Sequence, residues 1–258
     1  MSVTENVDVA LVAPRYLAGG GDPAWITAPL HRACEWSARP DLLVPRVVLT
    51  SPDKKTVLRL GPDPDGPWWS LQHAPVGEQR AWSVSFDART PVEIIAGFTD
   101  ALTDPATAQA PAPDPYEPLR QAGWAEGREH DGLVSPDGLS RVEHFTHGFT
   151  DCWFARTEVS EEPEGLIWRA YLSGDTPAHL ITGFTRALAD SAPLLRDAYP
   201  LRVPLNVRRQ ANVTITQRPS TEVAFALERR VTALANRSKH PVPTPVPPPK
   251  APRPRHTR

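Results

Sequence analysis

The chain has 258 residues, 40% of them hydrophobic, with 28 Lys and Arg against 30 Asp and Glu for a formal net charge of −2. That length supports one large or two small domains, each with a true core. No apolar run approaches the roughly 18 residues of a membrane span and the N-terminus has no basic, apolar leader, so a cytoplasmic protein without membrane contact is expected.

The charge is unevenly spread. From Arg229 onward eight Lys or Arg meet no acid, which leaves 20 bases against 30 acids in residues 1–228, a net of −10. An acidic body with a basic tail directs any polyanion to the tail. Cys34 and Cys152 lack ligand or redox spacing, so neither a disulfide nor a metal site is expected from them.

Val7, Val9 and Leu11 alternate with Asp8 and Ala10, which predicts a strand over 7–12. After Gly19-Gly20-Gly21, the pair Asp22-Pro23 predicts a helix from Pro23 to about Trp36. Four strands are then predicted at 46–50, 56–60, 68–73 and 81–86, joined by turns rich in Pro, Asp and Gly; such short connections imply antiparallel pairing. In the last of them Trp82, Val84 and Phe86 oppose Ser83 and Ser85, as a sheet covered on one face requires. Thr90-Pro91-Val92-Glu93 predicts a capping box, followed by a helix whose buried stripe is Ile94, Ile95, Phe98, Ala101 and Leu102.

The chain then repeats itself. Residues 90–104 and 176–190 share nine identities in fifteen positions without a gap. Trp82 matches Trp168 at the same offset of 86, while Trp69 with Trp153, and Ser51-Pro52-Asp53 with Ser135-Pro136-Asp137, match at 84. The predicted architecture is therefore α+β: two tandem repeats, each a helix, a four-stranded antiparallel sheet and a helix. The first repeat with its N-terminal strand covers 1–104, a Pro/Ala linker 105–115, and the second repeat 116–190. A C-terminal extension over 191–238 carries a strand around Val213 and Ile215 and an amphipathic helix from Thr221 to about Asn236. A basic, Pro-rich tail over 239–258 is expected to pack against nothing.

The segments PRYLAGGGDP (14–23), PLHRACEW (29–36), RVVLTSPD (46–53), LRL with WWSL (58–60 and 68–71) and TPVEIIAGFTDALTD (90–104) resemble a Streptomyces family catalogued as domain of unknown function 317. Members of that family commonly carry the unit twice. The resemblance implies a tandem α+β protein of actinomycete type and implies no activity.

No residue pattern assembles a reaction. His144 and His147 are three apart on a predicted strand and face opposite sides, the glycine run lacks the lysine and hydroxyl of a phosphate loop, and no GxSxG occurs. No cofactor, metal or catalytic residue is therefore assigned. Trp68 points away from Trp69 and is a candidate partner contact on a sheet face; Lys250, Arg253, Arg255 and Arg258 are candidate contacts on the tail. The leading expectation is a non-catalytic protein-interaction module with a partner groove between the repeats. The alternative is a single-stranded nucleic-acid binder of Whirly or PUR-like plan, using Trp68, the aromatics of repeat two and the tail. The third is an enzyme acting in the inter-repeat groove.

Overall fold

The computed structural model describes residues 5–40, 46–61, 67–109, 111–127, 132–148, 150–160, 165–199 and 205–239; the turn at 62–66 and the tail beyond 239 lie outside the described residues. The chain opens with β1 (Asn6–Ala13), a short 3-10 turn (Arg15–Leu17) and α1 (Ala24–Ala33). Five strands follow, β2 (Ser37–Pro40), β3 (Val47–Thr50), β4 (Thr56–Leu60), β5 (Trp69–His73) and β6 (Trp82–Phe86), then α2 (Val92–Leu102) and the short α3 (Pro105–Gln109). The second pass runs α4 (Glu117–Gln121), β7 (Ala125–Glu126), β8 (Gly132–Val134), β9 (Ser140–His147), β10 (Thr150–Glu158), β11 (Leu166–Ser173) and α5 (Ala178–Ala189). The C-terminal extension holds β12 (Leu194–Asp197), α6 (Leu205–Gln210), β13 (Asn212–Pro219), α7 (Ser220–Ala224) and α8 (Ala226–Lys239).

Each pass contains five strands rather than the four expected. The extra ones, β2 and β7, are the two edges of the sheet. Ser37-Ala38-Arg39-Pro40 and Ala125-Glu126 are short and carry no large apolar side chain, so they give little strand signal; short, charged or proline-bearing segments suit an edge that must resist further pairing.

Both passes share one ten-stranded antiparallel sheet of order β2-β3-β4-β5-β6-β11-β10-β9-β8-β7. The seam is β6 on β11, with Phe86 opposite Ala170, Ser85 opposite Tyr171 and Val84 opposite Leu172. Ser85 and Tyr171 are the same position of the two copies, 86 residues apart, so an approximate twofold axis passes between them. In the helical layer α2 and α5 meet at Gly97 and Gly183, again 86 apart, and the axis passes between these as well.

Trp82, Val84, Phe86, Trp69, Leu71, Trp168, Ala170 and Leu172 turn toward the helices and are buried against Ile94, Ile95, Phe98, Leu180, Ile181 and Phe184. Phe86 stands near the centre, its ring 6.2 Å from Phe98 and 5.8 Å from Phe184. The repeated indoles are all inside: Trp69 is 2% exposed, Trp153 7%, Trp82 3% and Trp168 0%. By area, each contributes at most about 4–6 kcal/mol. Their polar ends differ. Trp168 donates Nε1–H to the Tyr16 carbonyl at 2.8 Å, while Trp82 Nε1 has no partner among the described residues and its ring stacks on His73 at 5.1 Å. The duplication therefore preserves packing more faithfully than polar contacts.

One polar motif is preserved. In the β3–β4 turn the Ser51 hydroxyl donates to Asp53 and accepts from the Thr56 amide, while Asp53 accepts from the Lys55 amide; Ser135, Asp137, Ser140 and Leu139 repeat this arrangement in the β8–β9 turn. These side-chain bonds take over backbone donors that a tight turn leaves unpaired.

The capping box does not form. Among the described residues α2 starts behind Pro91 with no side-chain cap and the buried Thr90 hydroxyl finds no partner, while Glu93 takes both ends of the Arg196 guanidinium at 2.7 and 2.8 Å. A two-pronged charged pair outcompetes a single return bond to an amide. α5 starts behind Pro177 with nearly the same backbone angles and has no glutamate to form a box, so the box is not what starts these helices.

Beside the helices lies a second sheet of order β12-β1-β13, in which β1 pairs along its whole length with β13, from Asn6 opposite Pro219 to Ala13 opposite Asn212. The glycine run joins this sheet to repeat one. The Gly20 carbonyl accepts from the Val92 amide at 2.7 Å, and a Cβ on Gly20 would stand 2.6 Å from the Ala88 carbonyl oxygen. The helix expected over 221–236 is broken at Phe225 into α7 and α8; Val231 and Leu234 are buried where α8 packs on α1.

Candidate functional site

Two surfaces carry unspent chemistry, one on each side of the ten-stranded sheet. On the helical side α2 and α5 cross through small residues, Ala96, Gly97 and Ala101 against Thr182, Gly183 and Ala187, and these form the floor of a groove of ≈ 1490 Å³. The approximate twofold axis passes through this floor, between Gly97 and Gly183. Trp25, Arg230 and Arg237 form one wall; Trp124, Pro118 and Asp137 form the other. Its lining includes seven carboxylates against four guanidinium groups.

Most of these charges are already engaged. Arg230 donates to both oxygens of Asp100 at 3.0 and 2.7 Å and to the Trp25 carbonyl at 2.9 Å, with its guanidinium 5.3 Å from the centre of the Trp25 ring. Arg15 donates to the carbonyls of Ala187 and Ala192 at 3.0 and 3.1 Å and pairs with Asp190 at 2.6 Å, satisfying carbonyls at the C-terminus of α5. Burial pulls the Arg15 pKa down, against the opposing pull of Asp190 and Glu93. Tyr16 donates to Asp137 at 2.7 Å, and burial pushes its phenol above the usual range. Burial also raises the thiols of Cys34 and Cys152, which keeps both protonated and weakly nucleophilic near neutrality. The groove therefore offers shape and fixed charge for binding. Among the described residues no group of three or more His, Cys, Asp or Glu could hold a metal ion.

The second surface is the face of the sheet turned away from the helices. The Trp68 carbonyl accepts from the Gly61 amide at 3.1 Å, which extends the β4–β5 ladder by one step and turns the Trp68 ring opposite to buried Trp69. Trp68 is 37% exposed. On the same face Phe145, Phe154 and Tyr171, from β9, β10 and β11, form a ladder of edge-to-face rings with centroids 5.6 and 5.2 Å apart. Phe145 is 41% and Phe154 36% exposed. Arginines stand among them: Arg59 donates to the neutral Gln72 side chain at 2.6 Å, Arg169 reaches Asp87 at 3.1 Å, and Arg141 reaches Glu158 at 2.7 Å.

Of the residues singled out from sequence, only Trp68 is placed; Lys250, Arg253, Arg255 and Arg258 lie outside the described residues. Phe145, Phe154 and Tyr171 had not been singled out individually. Their signal was the alternation itself: Phe154 follows core Trp153, and Tyr171 lies between core Ala170 and Leu172. His144 stacks on Trp153 at 4.2 Å and bonds Asp151 at 2.8 Å, a packing role.

Among the described residues no helix is long and apolar enough to cross a membrane. No curated protein and no solved structure matches the chain. The family model SPDY, domain of unknown function (DUF317), matches residues 50–108 and 134–194. Each matched stretch takes in three central strands and the following long helix, β4–β6 with α2 and β9–β11 with α5, and leaves out the edge strands β2 and β7. The family model thus matches the chain twice in tandem, once in each repeat.

Proposed function

We propose that the chain is a non-catalytic protein-interaction module that seats a basic, extended segment of a partner protein in the groove over α2 and α5. The observation that carries this reading is the pairing of a floor of small residues with walls holding seven carboxylates against four guanidinium groups of the lining and two more, Arg196 and Arg120, that reach Glu93 and Asp114 from outside it, which leaves acid in excess by one. Small residues leave room for a main chain to approach, and the surplus of acid favours Lys and Arg side chains. The internal ion pairs Arg230–Asp100 and Arg15–Asp190 hold the walls in place beforehand, which lowers the ordering cost of binding.

Trp25 and Trp124 line the groove and report on its occupancy. An Arg- and Lys-rich peptide titrated at low ionic strength is expected to change indole fluorescence, more weakly as salt rises, and an acidic peptide of equal length is expected to leave it unchanged. Glu117→Lys, at an exposed lining position, is expected to weaken the basic peptide several-fold. No response to the basic peptide, or a response indifferent to Glu117→Lys, removes the groove as the binding seat.

A further inference from the structure

We propose that the face of the ten-stranded sheet turned away from the helices, which none of the described elements covers, binds single-stranded nucleic acid, with bases stacking on Trp68, Tyr171, Phe154 and Phe145 and phosphates meeting the arginines between them. This is a site separate from the groove, on the opposite side of the sheet.

The two copies supply the first argument, because each serves as a control for the other. On the buried face their residues are held alike, Trp69 with Trp153 and Trp82 with Trp168. On the open face they part: Ser70 of repeat one corresponds to Phe154 of repeat two, and Ser85 to Tyr171. A face that only has to be solvated is served by serine, as repeat one demonstrates. Contiguous exposed rings invite aggregation unless something uses them.

The second argument is arrangement. Trp68 lies in line with β5, Tyr171 on β11, Phe154 on β10 and Phe145 on β9. With strands about 4.8 Å apart, the row crosses four inter-strand steps, roughly 19 Å. Rings spread along a track at this scale suit successive unstacked bases, each of which presents a π-face. A duplex offers no such faces.

Charge is the third. The body is acidic, with a net of −10 over residues 1–228, yet this face holds Arg59, Arg141, Arg156 and Arg169 against Asp87, Glu143 and Glu158. Arg59 bonds a neutral glutamine, which leaves its charge available to phosphate, and Arg169, paired with Asp87, still has a side chain that is 62% exposed. Ser70, Gln72, Ser83 and Ser85 add neutral hydrogen-bonding groups. An acidic protein segment would use the arginines and leave the rings idle; a nucleic acid uses both.

The test is fluorescence anisotropy of the full chain with a labelled oligothymidylate of about twelve nucleotides, inside the roughly 4–16 nucleotide sites of such surfaces, at low and moderate salt. Binding that weakens with salt is expected. Trp68→Ala and the pair Phe154→Ser with Tyr171→Ser, which give repeat two the serines that repeat one already tolerates, are each expected to weaken it about tenfold or more per ring. Thermal melting checks that these variants stay folded. A parallel variant with Lys250, Arg253, Arg255 and Arg258 changed to Gln separates the tail from the sheet. No binding at low salt overturns the proposal, as does binding that survives loss of the rings and disappears with the tail charges. Sedimentation showing that the ring variants dissociate a dimer, with no oligonucleotide bound by the parent chain, reassigns the face to self-association and overturns it too. Loss of peptide binding in the groove with oligonucleotide binding intact leaves this inference standing.

Discussion

Gly97 and Gly183 face each other across the approximate twofold axis so closely that a Cβ on either would lie 2.5 Å from the carbonyl oxygen of the other. Neither glycine has a positive φ, so what is required here is the missing side chain and not an unusual backbone. Glycine inside a helix ordinarily costs about 0.8–1.0 kcal/mol relative to alanine. At this crossing the sign inverts. Gly97→Ala is expected to destabilise the fold by about 1–3 kcal/mol through overpacking against Gly183 and Ala187, and Gly183→Ala comparably against Gly97 and Ala101. Urea denaturation of both variants checks this, and stabilisation by either would contradict the crossing.

Glu93 and Arg196 connect α2 to β12, and the same guanidinium reaches the carbonyls of Ala18 and Gly19. Their side chains are 13% and 20% exposed for Arg196 and Glu93 respectively, so removing one partner strands a largely buried charge. Glu93→Gln and Arg196→Ala are each expected to cost roughly 2–4 kcal/mol, somewhat below a fully buried pair. The double variant should cost less than the sum of the singles. Thermal denaturation of the four-protein cycle measures the coupling.

Trp68 and Trp69 are adjacent in sequence and opposite in environment. Trp69→Ala is expected to cost about 3–5 kcal/mol, as a cavity opens beneath α2, whereas Trp68→Ala is expected to cost under about 1 kcal/mol. A larger loss from Trp68→Ala than from Trp69→Ala would mean that the strand is turned over, and equal losses would contradict the difference in their burial.

Stability is expected to fall as pH drops below neutrality. Burial lowers the pKa of His73 and of His179 below the usual 6.5, and His73 also bonds Thr56 Oγ1 at 2.8 Å. For a depressed folded value, the contribution is present above 6.5 and is lost as pH falls through the folded value, because the unfolded chain takes up the proton first. Chemical denaturation at about pH 7.5 and about pH 5.5 measures the loss, above the range where carboxylates titrate. His73→Gln combined with His179→Gln should flatten the profile.

The duplication and the buried stripes were legible because they rest on local rules. Trp82, Val84 and Phe86 alternate, and Phe98 and Phe184 recur with their neighbours, whatever the rest of the chain does. The edge strands were not, since Ala125-Glu126 is a strand only because β8 lies beside it. Thr90 and Glu93 satisfied a local capping rule that lost to Arg196, a partner 103 residues away. The groove was anticipated between the repeats, but its walls depend on Trp25 and Arg230, 205 residues apart, and no spacing announces such a meeting. The open face follows from the same alternation as the core, read for the residues that point outward.

The pairing of β1 with both β12 and β13 sets an order of assembly. During synthesis the duplicated body can close over its indoles while β1 still waits, since its neighbours are specified only by the last quarter of the chain. Loss of Asn6–Ala13 would free β13, while α8 keeps its own hold on the body through Val231 and Leu234 against α1 and through Arg230 on Asp100 and Trp25. The two surfaces thus differ in when they come into being: the aromatic face is finished with the second repeat, and the groove only when α8 has packed on α1.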